Sequence, residues 1–278
     1  MPDYLVKVGD AEIISVSDGH IHFAPSDFFP SIDSAEWDPY ADQLTDEGFI
    51  RMNVGSFVIR VADVVALVDT GLGEGDHPFE NSEWGLLASD MASKGIAPDE
   101  ITMVIITHLH RDHVGWNMVE EGGVRTPFFP NAKYYIPRAD WNAFTRRAGM
   151  AMFAYIAEQV TPLLELGALE FVEGEQNIGR HLTALPTPGH TPGHTSVLVS
   201  SAGESAVVLG DAAHVPVQAH HTDWSPRADT NPELSRQNRA ELFDRMERDH
   251  SLVVSGHFPV PGFGRLVRAS GRRYWHAL

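Results

Sequence analysis

The segment 107–113, THLHRDH, carries more metal-binding side chains than one metal ion needs. His108 and His110 are two residues apart and share a face if the chain is extended there, so they could chelate one ion. Asp112 and His113 follow where the chain turns, and we expect them to face a second ion. A pair of divalent ions about 3.5–4 Å apart needs about seven side chains, including a bridging carboxylate.

The missing donors follow other strand-like runs of the sequence. Short apolar runs rich in Val and Ile predict β-strands, and strand ends are where α/β proteins gather active sites. Because the chain has no cysteine, nitrogen and oxygen must provide all the ligands. Five runs end at a candidate ligand or a supporting carboxylate, namely Asp69, His108, His190, Asp211 and His257.

The elements that must position these residues predict one α+β domain spanning residues 1–278. Strands occur early and late, and helices lie between them, which favours a sheet sandwich with helices outside it. Asn231 could cap the last helix and Pro232 could open it. Helical patterns cover residues 84–95, 138–147, 150–166 and 232–248.

The stretch 18–49 has no clear period and is rich in proline, aspartate and aromatic residues, which predicts a long loop that is either functional or poorly ordered. Phe28, Phe29 and Trp37 in it either tether the loop to the core or line an apolar substrate pocket. Trp116, Met118, Phe258 and Phe263 lie next to ligand residues in the sequence, and they too are candidate pocket walls with an alternative reading as core.

The net charge of −18 argues against nucleic acid or an anionic membrane as partner. We find neither a signal peptide nor an apolar run long enough to span a bilayer, so we expect a cytoplasmic protein. One basic cluster is interpreted as the solvated face of a C-terminal strand pair; it comprises Arg265, Arg268, Arg272 and Arg273.

The motifs VDTGLG, THLHRDH, TPGHTPGH, GDAAH and SGH, in this order, resemble the metallo-β-lactamase superfamily. The resemblance implies a four-layer αββα sandwich with a dinuclear centre at one edge of the two sheets. It implies that Asp69 orients a ligand histidine, although Asp69 could simply form a turn, and that His194 supports the site. The implied ligands are His108, His110 and His190 for one ion, Asp112, His113 and His257 for the other, and Asp211 as the bridge.

Such a site implies hydrolysis without a covalent intermediate. Two divalent ions that share a water lower its pKa toward neutrality and hold hydroxide as the nucleophile. Asp112 is the candidate proton shuttle, since it lies close to the bridging water in the family's geometry. Zinc is the expected metal, and the same ligands would accept manganese, cobalt or iron.

Within the superfamily, GDAAHVPVQ and SGHFPVPGFGRLVR look similar to the lactonase and methyl parathion hydrolase-like group. Autoinducer lactonases typically carry tyrosine where this chain has His214, which either hydrogen-bonds a substrate oxygen or is an ordinary loop histidine. We therefore expect a small neutral substrate: first a lactone, N-acyl homoserine lactones included, and second an aryl ester or organophosphate triester.

Two other enzyme classes fit similar ligands. A glyoxalase II-type thioesterase shares all seven, but it adds a C-terminal helical part that this chain does not resemble. A mononuclear iron persulfide dioxygenase uses similar motifs, and a metal-stabilised binding protein would keep the ligands without turnover. Dimers are common in the resembling enzymes, so we expect a homodimer.

Overall fold

The computed structural model describes residues 2–278 and contains two large sheets and a small hairpin. The strands are β1 Leu5–Val8, β2 Ala11–Phe23, β3 Ile50–Val61, β4 Val64–Val68, β5 Met103–Ile105, β6 Met118–Glu121, β7 Val124–Pro127, β8 Lys133–Pro137, β9 Leu169–Val172, β10 Gln176–Gly179, β11 Leu182–Pro186, β12 Thr195–Ser201, β13 Glu204–Val208, β14 Leu252–Val254, β15 Phe263–Ala269 and β16 Arg272–Ala277.

The helices lie between these strands along the chain. The α-helices are α1 Pro25–Phe28, α2 Leu87–Ser93, α3 Arg111–Val114, α4 Arg138–Thr145, α5 Ala154–Gln159, α6 Thr161–Glu165 and α7 Pro232–Asp249. The 3-10 helices are Ser34–Gln43, Pro98–Glu100, Ala151–Phe153, Gly210–Ala212 and Pro216–Ala219. In residues 2–278, no helix is long and apolar enough to cross a bilayer.

The two sheets pack face to face. The first has the order β1-β2-β3-β4-β5-β8-β9 and the second β10 to β16 in sequence order, while β6 and β7 pair separately. Alternate residues point inward, because side chains in a strand alternate between faces. Phe57 and Ile59 of β3 thus meet Val197 and Val199 of β12 in the core between the sheets.

Helices cover both outer faces. Leu87 of α2 and Leu163 of α6 pack on one side of the first sheet. Phe243 and Met246 of α7 pack on Val253 at the back of the second sheet. These layers form an αββα sandwich, which confirms the predicted fold class.

Parallel strand pairs bring the candidate ligands to one edge. Val68 of β4 pairs with Ile105 of β5, and Val208 of β13 pairs with Val254 of β14, both in parallel. Parallel neighbours end at the same edge of a sheet, so the residues that follow them begin close together.

Three local predictions need correction. The single helix expected over 150–166 is broken into a 3-10 turn, α5 and α6, since Pro162 lacks an N–H donor and cannot continue a helix. The stretch 18–49 is not one long loop, because β2 continues to Phe23 and helices α1 and Ser34–Gln43 follow. The basic cluster is only partly solvated, since Arg273 is buried and pairs with Glu247 of α7.

Candidate metal centre

The loop after β5 turns sharply at His110. The backbone of this residue is extended, with φ −74° and ψ 159°, and the short helix α3 starts at the next residue. His108 and His110 therefore precede the turn, whereas Asp112 and His113 lie on the helix. This change of direction separates the four side chains into two groups, as their spacing suggested.

The first group brings three imidazoles together with one carboxylate oxygen. His110 Nδ1 lies 3.0 Å from His108 Nε2 and 2.9 Å from His190 Nε2. Asp211 Oδ2 lies 3.5 Å from His108 Nε2 and 3.1 Å from His190 Nε2. The four ligand atoms converge on one point, which is the arrangement that holds a cation.

The second group contains Asp112, His113 and His257. Asp112 Oδ2 lies 3.5 Å from Nε2 of both histidines. The other oxygen of Asp211, Oδ1, lies 3.3 Å from His113 Nε2 and 3.1 Å from His257 Nε2. One carboxylate therefore presents one oxygen to each group, which is the geometry of a bridging ligand.

Three buried polar atoms of the centre have no hydrogen-bond partner among the described residues. His113 Nε2, His257 Nε2 and Asp211 Oδ1 are buried without a hydrogen-bond partner. Buried polar atoms are normally hydrogen-bonded, and exceptions need an explanation such as an ion. All three point into the second group, so these residues fit a divalent metal ion.

The electrostatics of the centre also favour cations. Burial raises the pKa of Asp211, but His257, His113 and His108 hold that pKa well below its usual value. Burial, together with the neighbouring His190 and His113, lowers the pKa of His110 to about 3, although the carboxylates of Asp112 and Asp211 raise it. The site thus keeps buried anionic oxygens next to a neutral imidazole, and metal ligands take these ionisation states.

Most of the candidate ligand histidines use their second ring nitrogen for a supporting contact. His113 Nδ1 donates to Asp69 Oδ2 at 2.8 Å, and His257 Nδ1 donates to the carbonyl of Asn53 at 2.8 Å. His190 Nδ1 lies 2.9 Å from Asp229 Oδ1. Such contacts fix the tautomer and the orientation of the ring.

Asp69 has a backbone conformation suited to this contact. Its φ is +61°, a value that few non-glycine residues adopt. Its Oδ1 also accepts the backbone N–H of Thr107 at 2.8 Å, which ties the end of β4 to the histidine loop. Asp69 thus lies beside His113, a candidate ligand, at the position that the resemblance implies.

Two glycines allow close approach near the ligands. Gly189 has φ +135°, and a Cβ there would lie 2.3 Å from the backbone nitrogen of Ser235 on α7. Gly210 has φ +55°, and its Cβ would lie 2.7 Å from His194 Nε2. Each precedes a candidate ligand, so glycine at these positions lets His190 and Asp211 reach the centre.

His194 lies beside the centre but has no nitrogen free for a metal. Its Nε2 accepts the backbone N–H of Asp211 at 2.8 Å, and its Nδ1 lies 2.8 Å from Thr187 Oγ1. His214 contacts the centre directly, since its Nε2 lies 3.1 Å from Asp211 Oδ2. Burial lowers the pKa of His214 to about 4, so its imidazole is neutral at pH 7.

Most of the predicted pocket residues lie elsewhere. Trp116 and Met118 pack in the core between the first sheet and its helices, Phe263 packs between the sheets, and Phe258 packs against the second sheet. None of the four packs against the two ligand groups, although Trp116 and Met118 line a cavity together with Phe128. Their role as walls of a substrate pocket stays a prediction.

The aromatic residues of 18–49 differ in position. Phe29 and Trp37 pack against Trp224 in a separate core. Phe28 alone contacts the centre, with its ring centroid 5.3 Å from that of His214. On the opposite side, Phe144 of α4 lies 5.7 Å from the His110 ring.

Sequence reasoning missed Asp229 and Phe144. Asp229 lies in the loop before α7, where an acidic residue is expected for helix capping, so no signal distinguished it. Phe144 lies on a helical pattern where an aromatic residue is usually core. Both reach the centre only through the packing of helices on the sheets.

The sequence of residues 51–257 matches the profile of the metallo-beta-lactamase superfamily. This chain belongs to the metallo-beta-lactamase superfamily. A Bacillus cereus protein named N-acyl homoserine lactonase is 26% identical over 230 residues, which is 77% of this chain and 84% of the relative. The probable metallo-hydrolase YqgX of Bacillus subtilis is 32% identical over 60% of this chain and 71% of its own length.

Solved structures with the superfamily fold superpose over nearly the whole chain. One is AidC, described as a dizinc quorum-quenching lactonase in complex with a product, with a TM-score of 0.82, 22% identity and coverage of 99% of this chain and 96% of AidC. Another, hydrolase AbOPH, has a TM-score of 0.84 and 24% identity over 99% and 97% of the two chains. At these identities the likeness concerns the fold.

Proposed function

We propose that this chain is a dinuclear metal-dependent hydrolase that opens lactones, with N-acyl homoserine lactones as the first substrates to test. The observation that carries the proposal is the Asp211 carboxylate, whose two oxygens face two separate ligand groups. The relative named N-acyl homoserine lactonase supports the substrate class. Imidazole and carboxylate ligands, together with the dizinc description of AidC, favour zinc.

Two divalent ions held by these groups would supply an activated water and polarise the carbonyl oxygen of the substrate. In lactone opening, the water oxygen bonds to the acyl carbon and the ring C–O bond breaks. One proton of the water must then reach the leaving alkoxide. The residues of this chain provide the orientation and the proton path.

Asp112 is the proposed proton carrier. Its side chain is 18% exposed, against 5% for Asp211, so it is the carboxylate of the centre that a substrate reaches more easily. Burial raises the pKa of Asp112, but His113 and His257 lower this pKa by more than burial raises it. The carboxyl group is therefore ionised at neutral pH. The Asp112 carboxylate can thus accept the proton of the water and return it to the alkoxide.

His214 is the proposed substrate contact. With Nε2 beside Asp211, its Nδ1 is buried and has no partner. Because Nε2 donates to Asp211, the neutral imidazole keeps a lone pair on Nδ1, which can accept a hydrogen bond from a substrate donor such as an amide N–H. The rings of Phe28 and Phe144 on the two sides favour a neutral, partly apolar substrate over a charged thiol conjugate.

A substrate panel on zinc-reconstituted protein tests the proposal. It should contain N-acyl homoserine lactones of graded chain length, simple lactones, aryl esters, phosphotriesters and S-lactoylglutathione, with acid release followed by pH-stat. We expect the highest kcat/KM with a lactone, loss of activity with a chelator, and recovery with zinc. Chelator-resistant turnover would contradict the proposed metal dependence, and a higher kcat/KM with the phosphotriester or the thioester would contradict the proposed substrate class.

Light scattering tests assembly as a homodimer, which the resemblance favours.

A further inference from the structure

Arg239 is a charged side chain buried at the middle of α7, and the proposed reaction does not use it. It has no exposed surface. Burial lowers its pKa to about 10, so the guanidinium still carries its charge at neutral pH. An isolated buried charge is costly, and partners must therefore compensate it.

Three of these partners are backbone carbonyls in the segment that follows the bridging carboxylate. Nε of Arg239 donates to the carbonyl of Ala212 at 2.6 Å, and Nη1 donates to the carbonyls of Thr222 and Trp224 at 2.8 Å each. Ala212 is the residue after Asp211. The guanidinium thus ties the start of this segment to a point twelve residues later.

The same guanidinium also faces the carboxylate that supports His190. Nη2 of Arg239 lies 3.5 Å from Asp229 Oδ2, which the hydroxyl of Ser225 also contacts. The other oxygen of Asp229 lies 2.9 Å from His190 Nδ1. A chain of polar contacts therefore runs from the middle of α7 to a ligand of the first group.

The backbone reinforces this connection. The N–H of Thr230, next to Asp229, donates to the carbonyl of His190 at 2.9 Å, and the N–H of Asn231 donates to that of Gly189 at 2.8 Å. A movement of Asp229 would therefore move both the ring contact and the backbone of His190.

We propose that Arg239 is a positioning residue for the metal centre, which holds Asp211 and His190 at the geometry that binds metal in the first group. This inference rests on the proposed dinuclear function. Lysine cannot replace arginine in this role, since its single ammonium is a point charge without the planar fork that reaches several acceptors at once.

The test compares Arg239→Lys and Arg239→Met with the same two substitutions at Arg236, an exposed arginine on the same helix. Cobalt titration followed by visible absorption, with chelator competition, gives the affinity for each ion, and circular dichroism of the metal-free proteins reports folding. Loss of a side chain that contacts a metal ligand directly weakens metal binding by about 10–100-fold, and Arg239 acts one contact further out, through Asp229 and the carbonyl of Ala212. We therefore expect a loss at the lower end of this range, about tenfold, for one of the two ions in Arg239→Lys, and no change in the Arg236 variants.

Excess metal separates positioning from a purely structural role. In Arg239→Lys, saturating cobalt should restore most of the absorption spectrum, because the ligands themselves remain. If Arg239→Met does not fold, Arg239→Lys with its retained charge carries the test. Two outcomes would overturn the inference. In the first, Arg239→Lys folds and binds both ions with affinities within about twofold of wild type. In the second, neither Arg239 variant folds and Asp229→Asn binds metal with unchanged affinity.

The result is distinguishable from failure of the proposed function. If the wild-type protein binds two cobalt ions but opens no lactone, the substrate assignment is contradicted. The metal affinities of the Arg239 variants can still be measured by visible absorption in that case. Wild-type protein that binds no cobalt would overturn both.

Discussion

The two halves of the metal centre are held by different parts of the chain. The histidines of the second group are supported by the N-terminal part of the chain, since Asp69 after β4 contacts His113 and the carbonyl of Asn53 in β3 contacts His257. The first group is supported by the C-terminal part, since Asp229 before α7 contacts His190. The support of His190 therefore depends on how α7 docks, whereas the supports of His113 and His257 come from the first sheet.

The halves differ in charge as well. The second group contains its own carboxylate, Asp112, whereas the first group is three imidazoles and shares only the bridging carboxylate. The more anionic half should attract a divalent cation more strongly at equal geometry. We therefore expect the first half to lose its metal more readily when its supports are changed.

The largest effect should come from the residue the two halves share. Asp211→Asn removes the bridging charge from both halves. We expect a loss of about 4 kcal/mol of transition-state stabilisation, which corresponds to a kcat lower by about 1,000-fold. Asp223→Asn, an exposed aspartate of the same segment, is the matched control and should keep its activity. Steady-state kinetics with lactone and metal analysis check this, and Asp211→Asn that keeps two metals and a tenth of the activity would contradict the bridge.

The next effect should separate the halves. Asp229→Asn should weaken metal binding on the His190 side, and Asp69→Asn should weaken it on the His113 side, each by about 10–100-fold. Anomalous diffraction from crystals of the two variants, grown at limiting zinc, gives the occupancy on each side. If both variants lose the same ion, the halves do not have separate supports.

A smaller effect is expected at His214, which is buried beside Asp211. His214→Phe keeps the ring shape but removes one hydrogen bond to the substrate, which is worth about 1–1.5 kcal/mol or roughly tenfold in kcat/KM. Metal content should stay at the wild-type level. Loss of metal without a change in kcat/KM of the reloaded enzyme would instead make His214 a support for Asp211.

The smallest effect is a pH dependence of the metal-free protein. Burial lowers the pKa of His190, but Asp211 and Asp229 raise it to about 9, above its unfolded value near 6.5. The stabilisation from its charge is therefore full below about pH 6.5 and is lost as the pH rises to about 9. The Tm of the metal-free protein should fall across this window. A Tm that rises there would contradict the assigned charge.

Much of this contrast could be predicted from the sequence. The second half could be predicted because Asp69 ends a strand-like run and His113 lies in the THLHRDH motif, so each had a local signal. The fold could be predicted for the same reason, since Val/Ile runs and turn residues mark most strands. Family motifs then distinguished His190 from His194, which spacing alone could not do.

The supports in the C-terminal part of the chain could not be predicted from the sequence. Asp229 and Arg239 carry no local pattern, and their role arises only when α7 packs on the second sheet and brings Asp229 to His190. The positions of two candidate pocket residues could not be predicted either. Phe258 and Phe263 both follow His257 in sequence, but Phe258, in the loop after β14, packs against the second sheet, and Phe263, the first residue of β15, packs between the sheets.

The central claim is that Asp211 bridges two ions, one in each half. Anomalous diffraction at the zinc edge, from crystals of the zinc-reconstituted wild-type protein, tests it most directly. The account predicts two peaks about 3.5–4 Å apart on either side of the Asp211 carboxylate. A single peak, or a second peak away from Asp112, His113 and His257, would contradict it.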